Sequence, residues 1–153
     1  MLDNIEQIKS FERQLIFLLN LDGWALQWTG EGYESFDADG YDDSGNTCVL
    51  ELKFRKKAYR LKMLEKYKHD KLQALDVQKK YYGVVDSKGL YIFDLENITD
   101  NTQFIDCPNT TVFNNHDVVD MGGKRQKEVY LLGNADKRYF YNFNFKNLEK
   151  WEE

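Results

Sequence analysis

The stretch Thr47 to Arg55, TCVLELKFR, alternates without a break. Cys48, Leu50, Leu52 and Phe54 fall on one side, and Val49, Glu51, Lys53 and Arg55 fall on the other. Period-two apolar spacing predicts a strand with one face in a core. The opposite face places a carboxylate and an ammonium side by side, two residues apart. A chain built around such a strand needs a sheet, a layer packed on its apolar side, and a reason to keep charge on the other.

The neighbouring segments supply the rest of the sheet. Glu34 to Tyr41 reads as a strand, and Asp42 to Asn46 (DDSGN) supplies turn residues, so a hairpin with Thr47–Arg55 is expected. Upstream, Ile5, Ile8, Leu15 and Leu19 form a helical stripe that Asp3 or Asn4 can cap and Asp22-Gly23 ends. Trp24 to Trp28 follows as a strand. Glu12 falls inside the stripe, where a buried carboxylate is costly unless compensated. Two readings stand for it at this point: a residue pairing locally at the edge of the helix, or a functional acid.

Leu61 to Gln78 reads as a second helix anchored by Leu61, Leu64, Leu72 and Leu75. Tyr81 to Val85 and Leu90 to Leu95 read as strands around a Ser87-Lys88-Gly89 turn. Beyond them, Thr110–Phe113, Glu128–Leu132 and Tyr139–Phe145 read as short strands. The order predicts an α/β chain with a mixed sheet flanked by helices. Its 153 residues suit one domain, residues 1–153, with a core over 1–95 and a less sharply patterned extension over 96–153.

Several classes fall away. The N-terminus is charged within its first residues, unlike a secretion signal, and the longest apolar run, Leu15–Leu19, is too short to cross a bilayer. A cytoplasmic protein without a membrane partner is expected. Cys48 and Cys107 stand far apart and form no CxxC pair; they read as free thiols, and the sequons at Asn97 and Asn109 as chance. His69 and His116 are isolated. DADGYDD departs from a calcium loop, with Cys48 where the closing Glu belongs. No GxSxG and no phosphate-binding glycine loop is present.

Charge is unevenly placed. The net charge is −5, yet Lys53 to Lys80 holds eleven Lys/Arg against three acids, so that segment is +8 and the remainder −13. This is either a solvated helix face or a local phosphate-binding surface on an acidic body. On the second reading Arg55, Lys56, Lys57 and Arg60 neutralise backbone phosphates.

The hairpin would set Asp37 beside Glu51 and Lys53. Two carboxylates on adjacent strands can bind Mg²⁺ and leave positions for water and a phosphate oxygen. Lys53 can offset charge that builds on the phosphate. Leu52 points its side chain to the core and leaves its backbone carbonyl as a further oxygen ligand. Asp39 shares a face with Asp37 and is the alternative ligand. The kit suits phosphodiester hydrolysis.

The run FDADGYDDSGNTCVLELKFRK, Phe36 to Lys56, resembles the PD-(D/E)XK motif of restriction-endonuclease-like nucleases, with Phe36 where proline often stands. FERQLIFLLNLDGWALQW, Phe11 to Trp28, resembles the glutamate-bearing first helix and first strand of archaeal Holliday-junction resolvases. The later runs ELKFRKKAYRLKMLEKYKHDKL, YIFDL and CPNTTVF, with Lys127, are similar to small phage-associated nuclease-like proteins. The likeness implies a restriction-endonuclease-like fold and a Mg²⁺-dependent endonuclease, Mn²⁺ substituting, acting on DNA of branched or other special structure. It implies a catalytic set of Glu12, Asp37, Glu51 and Lys53, and both Lys68 and Lys71 of the second helix near the scissile phosphate; Gln73 is a weaker candidate there. DNA is the expected partner, and a second copy of the chain a further one. The rival is a nuclease fold without chemistry that binds DNA or a protein, such as a phage protein acting on a host factor.

Overall fold

The alternation of Thr47–Phe54 is realised as an inner strand of a six-stranded sheet. The computed structural model describes residues 5–30, 36–106, 118–121 and 124–142. In chain order these form α1 (Ile5–Leu21), β1 (Ala25–Trp28), β2 (Ala38–Tyr41), β3 (Thr47–Phe54), β4 (Lys62–Glu65) and α2 (Lys66–Gln73). There follow β5 (Lys79–Asp86), β6 (Gly89–Asp94), β7 (Thr102–Asp106), β8 (Val118–Met121), β9 (Lys124–Leu132) and β10 (Lys137–Tyr141). The large sheet runs β1-β2-β3-β5-β6-β10, and a smaller one runs β4-β9-β7 with β8 also on β9. β3 and β5 are parallel, with Leu52 opposite Gly83, while the other neighbours are antiparallel. The described residues form a mixed α/β fold with a central mixed sheet and two α-helices.

The two faces of β3 part the core in two. Cys48, Leu50 and Leu52 pack with Leu15, Ile16 and Leu19 of α1. On the other face Val49 joins Tyr82 and Val84 of β5, Leu64 of β4, Leu72 of α2, and Tyr130 and Leu132 of β9. Gly83 lies opposite Leu52, and a Cβ there would come within 2.8 Å of Leu52 Cδ2, so the Leu52 side chain would have to shift.

A parallel β3–β5 pair demands a crossover. The crossover contains the basic loop 55–61, β4 and α2. The expected helix over Leu61–Gln78 is therefore corrected: its first part is a strand, and the helix covers only Lys66–Gln73. Burial in β4 has period two, with Lys62 and Leu64 inside, because β9 pairs along it from Lys62↔Leu132 to Glu65↔Val129. Lys62 is buried with Asp86, Nζ to Oδ2 2.9 Å, and its ammonium lies 4.2 Å from the Tyr91 ring. Nζ also donates to the Tyr59 carbonyl, so one buried ion pair ties the basic loop to the β5–β6 hairpin.

Three smaller differences concern the ends of elements. Ile5 is 63% exposed rather than part of the buried stripe, and Asp3 and Asn4 lie outside the described residues. The strand expected over Glu34–Tyr41 starts at Ala38; Phe36 and Asp37 form a bend before it, and 31–35 lie outside the described residues. Thr110–Phe113, Phe143–Phe145, Cys107 and His116 also lie outside them. Glu128–Leu132 falls within β9, and in β10 Tyr139 and Tyr141 pack on the α1 side while Phe140 is exposed against Tyr91. Among the described residues no helix is long and apolar enough to cross a membrane.

Candidate active site

The charged face of β3 opens into a cleft of about 220 Å³. Glu12, Asp37, Glu51, Leu52, Lys53, Arg55 and Lys68 all line it, although they come from α1, the bend before β2, β3, the loop that follows, and α2.

Asp37 is held at three points. Its N–H donates to the Leu50 carbonyl at 2.9 Å, its carbonyl accepts from the Thr29 N–H at 2.8 Å, and its carboxylate accepts from the Leu52 N–H at 2.7 Å. The β2–β3 ladder ends at Ala38↔Leu50, two residues short of Leu52. The Asp37 side chain takes the place of the missing strand there. A residue's N–H and C=O point to the same edge of a strand, so the Leu52 carbonyl faces the edge where Asp37 sits. Asp39 stays within β2, opposite Gln27 and Val49, and is not among the cleft-lining residues.

Glu12 is 7% exposed and Glu51 8%. Trp28 Nε1 donates to Glu12 Oε1 at 3.2 Å. Burial, reinforced by the charge of Asp37 and by a side-chain hydrogen bond to it, pushes the Glu12 carboxyl up to about 7. Burial and Asp37 push Glu51 up to about 7 as well, against the pull of Lys68. Asp37 is raised by burial, an effect the Leu52 N–H opposes. Three acids thus share one desolvated cluster, in which the charge of Asp37 adds to the shifts of Glu12 and Glu51. Lys68 Nζ lies 2.9 Å from Glu51 Oε1. Lys53 is exposed at its side chain, yet desolvation by the surrounding protein and then the Arg55 charge hold its ammonium below the ordinary lysine range.

Lys56 and Lys57 are not in this cleft. They line an adjoining groove of about 490 Å³ with Phe54, Arg55 and Tyr59, and Arg55 belongs to both. Arg60 is exposed on the same loop. Lys71 is exposed, with Nζ 4.9 Å above the Tyr67 ring, and Gln73 meets His69. Of the two helix lysines considered, the cleft contains Lys68.

Four cleft residues escape sequence reasoning as site residues: Met63, Leu64, Glu65 and Tyr82. Glu65 ends β4 and bridges to Lys127 of β9 at 3.0 Å. Tyr82 is buried, its hydroxyl donating to the Met63 carbonyl at 2.9 Å. Glu65 and Met63 were hidden inside an apparent helix; the alternation Lys62, Leu64 against Met63, Glu65 is the one local signal that could have exposed them.

Among the described residues no three His, Cys, Asp or Glu side chains form a ready cation cage. Mg²⁺ seldom needs one, since it keeps several waters and takes one or two carboxylates plus substrate phosphate. The donor set here fits that habit: hard oxygens from Asp37, Glu51 and the Leu52 carbonyl lining one cleft.

No family model and no curated protein matches the sequence. Among solved structures, the chain is similar to a Holliday junction resolvase from the archaeal hyperthermophile Archaeoglobus fulgidus. The TM-score is 0.51 at 13% identity, covering 88% of this chain and 89% of that one. At that identity the likeness shows the fold: a restriction-endonuclease-like α/β arrangement.

Proposed function

We propose that this chain is a metal-dependent endonuclease that hydrolyses DNA phosphodiester bonds. The observation that carries the reading is the convergence of Glu12, Asp37, Glu51 and Lys53 in one cleft from three separate parts of the chain. The fold shared with a resolvase supports it. A branched junction is the first substrate to test, because that protein is a junction resolvase.

Asp37, Glu51 and the Leu52 carbonyl would hold Mg²⁺ or Mn²⁺, which would supply an activated water and charge stabilisation at the phosphate. The remaining work falls to the chain. Lys53, beside Glu51 on β3, presents an ammonium to the phosphate oxygens where negative charge develops. Glu12, hydrogen-bonded to Asp37, would orient that acid. Arg55, Lys56, Lys57 and Arg60 form an exposed basic loop at the mouth, suited to backbone phosphates. A two-fold assembly of this chain would present two clefts to two of the four strands of a junction.

The test is cleavage of linear, nicked and four-way-junction DNA with Mg²⁺ or Mn²⁺, comparing wild type with Glu51→Gln. Metal-dependent cleavage lost in the variant supports the reading. Binding without cleavage under every condition replaces it with a nuclease-fold binding module.

A further inference from the structure

The Lys68–Glu51 pair is lopsided. The Glu51 side chain is 11% exposed, while that of Lys68 is 42% exposed. A buried carboxylate needs a partner, whereas a half-exposed ammonium on a flexible stem can leave for another. Lys68 Nζ sits 2.9 Å from Oε1, an oxygen that a divalent cation bound through Glu51 would also need. The Lys68 charge also acts on Asp37, the other proposed ligand. The helix that carries it starts directly from β4, whose end brings Glu65 to the same cleft. Its ammonium therefore stands over the acid cluster and at the solvent opening together.

From this geometry we infer that Lys68 is an internal counter-ion that competes with divalent metal for Glu51 and is drawn off by a substrate phosphate, so that metal loading is coupled to nucleic-acid binding. The inference rests on the metal-dependent nuclease reading and adds regulation to it. Without DNA, Lys68 neutralises Glu51 and keeps metal affinity low. With DNA, a phosphate offers Lys68 a new partner and frees Glu51. Coupling of this kind is reciprocal: metal must raise DNA affinity by the factor by which DNA raises metal affinity. A free protein that holds its own cation would not carry loaded metal between substrates.

The test is Mn²⁺ binding by calorimetry at pH 8, without DNA, so that no cleavage enters the signal. Wild type is compared with Lys68→Met, Lys68→Gln, Lys68→Arg and Asp37→Asn, each first matched by circular dichroism. Lys68→Met or, should it fold poorly, Lys68→Gln is expected to bind Mn²⁺ about tenfold more tightly than wild type, within the usual 5–150-fold range of site coupling. Lys68→Arg retains the competing charge and should stay near wild type. Unchanged or weaker binding in the neutral variants, with binding lost in Asp37→Asn, overturns the counter-ion role and leaves the metal reading intact. No Mn²⁺ binding in wild type or any variant overturns both.

Discussion

The Asp37 carboxylate accepts the backbone N–H of Leu52 at 2.7 Å, so an acid outside the β2–β3 ladder completes the edge of β3 between Glu51 and Lys53. One interaction does two things. It satisfies a main-chain donor that β2 is too short to reach, and it fixes an anion against two other buried acids. Fold and chemistry therefore pull in opposite directions at this residue.

Substitutions at Asp37 separate the two. Asp37→Ala removes the acceptor and leaves the Leu52 N–H without it, a loss of about 1–3 kcal/mol. Asp37→Asn keeps an acceptor oxygen and deletes the charge that raises Glu12 and Glu51. It should be at least as stable as wild type at pH 7 while losing cleavage. Thermal melts of the two variants, run beside a cleavage assay, check the contrast.

Stability should fall as pH rises through the acid cluster. Glu12 and Glu51 bind their protons near 7 when folded, against an ordinary value of 4.5. Between those values the folded state holds more protons than the unfolded one, so each unit of pH costs stability. Below 4.5 both states are protonated and above 7 both are ionised, so this contribution is then constant. Asp42 and Asp70, lowered from 3.8, act with the opposite sign and in a more acidic window. Urea melts from pH 4.5 to 8 should show the decline, and Glu51→Gln should flatten it; a decline of unchanged size in that variant would remove Glu51 as a source.

Much of this site was legible in the residues. The β3 alternation set Glu51 and Lys53 on one face and Leu52 on the other, and Glu12 stood out as a carboxylate in an apolar stripe. Both signals are local and periodic. β4 was not legible, because Leu61, Leu64, Leu72 and Leu75 fit a helical spacing over a longer window. What makes Lys62–Glu65 a strand is β9, which lies far along the chain, and strand preference depends on such a partner more than on the segment itself. Glu65 and Lys127 meet only through that pairing. Lys68 could be named from the resemblance, but its grip on Glu51 depends on where the shortened helix begins.

The buried Lys62–Asp86 pair should matter more for stability than any exposed ion pair. Asp86→Ala leaves the Lys62 ammonium buried beside Tyr91 and the Tyr59 carbonyl, a loss of about 3–5 kcal/mol. Breaking Lys66–Asp70, which is largely exposed, should cost at most about 1 kcal/mol. Chemical denaturation of Asp86→Ala and Asp70→Ala compares them directly, and equal costs would contradict the assignment.

The basic loop should govern the salt response of DNA binding. Reversing Lys56, Lys57 and Arg60 to Glu should weaken binding and flatten the dependence on salt, by about 0.9 in log–log slope for each DNA phosphate no longer neutralised. Fluorescence anisotropy across a salt series measures both. An unchanged slope would move the DNA surface away from this loop.

The decisive measurement is single-turnover DNA cleavage with Mg²⁺ by wild type, Lys53→Ala, Glu12→Gln and Leu52→Ala, with melting temperatures taken in parallel. Lys53 is exposed and adds little to the core, so Lys53→Ala should keep its melting temperature and lose about 10²–10³ in rate. Glu12→Gln should also lose rate without becoming less stable. Leu52→Ala should instead act on stability, by roughly 2–5 kcal/mol for a buried leucine. Wild-type rates in both Lys53→Ala and Glu12→Gln would contradict the assignment of catalysis to this cleft.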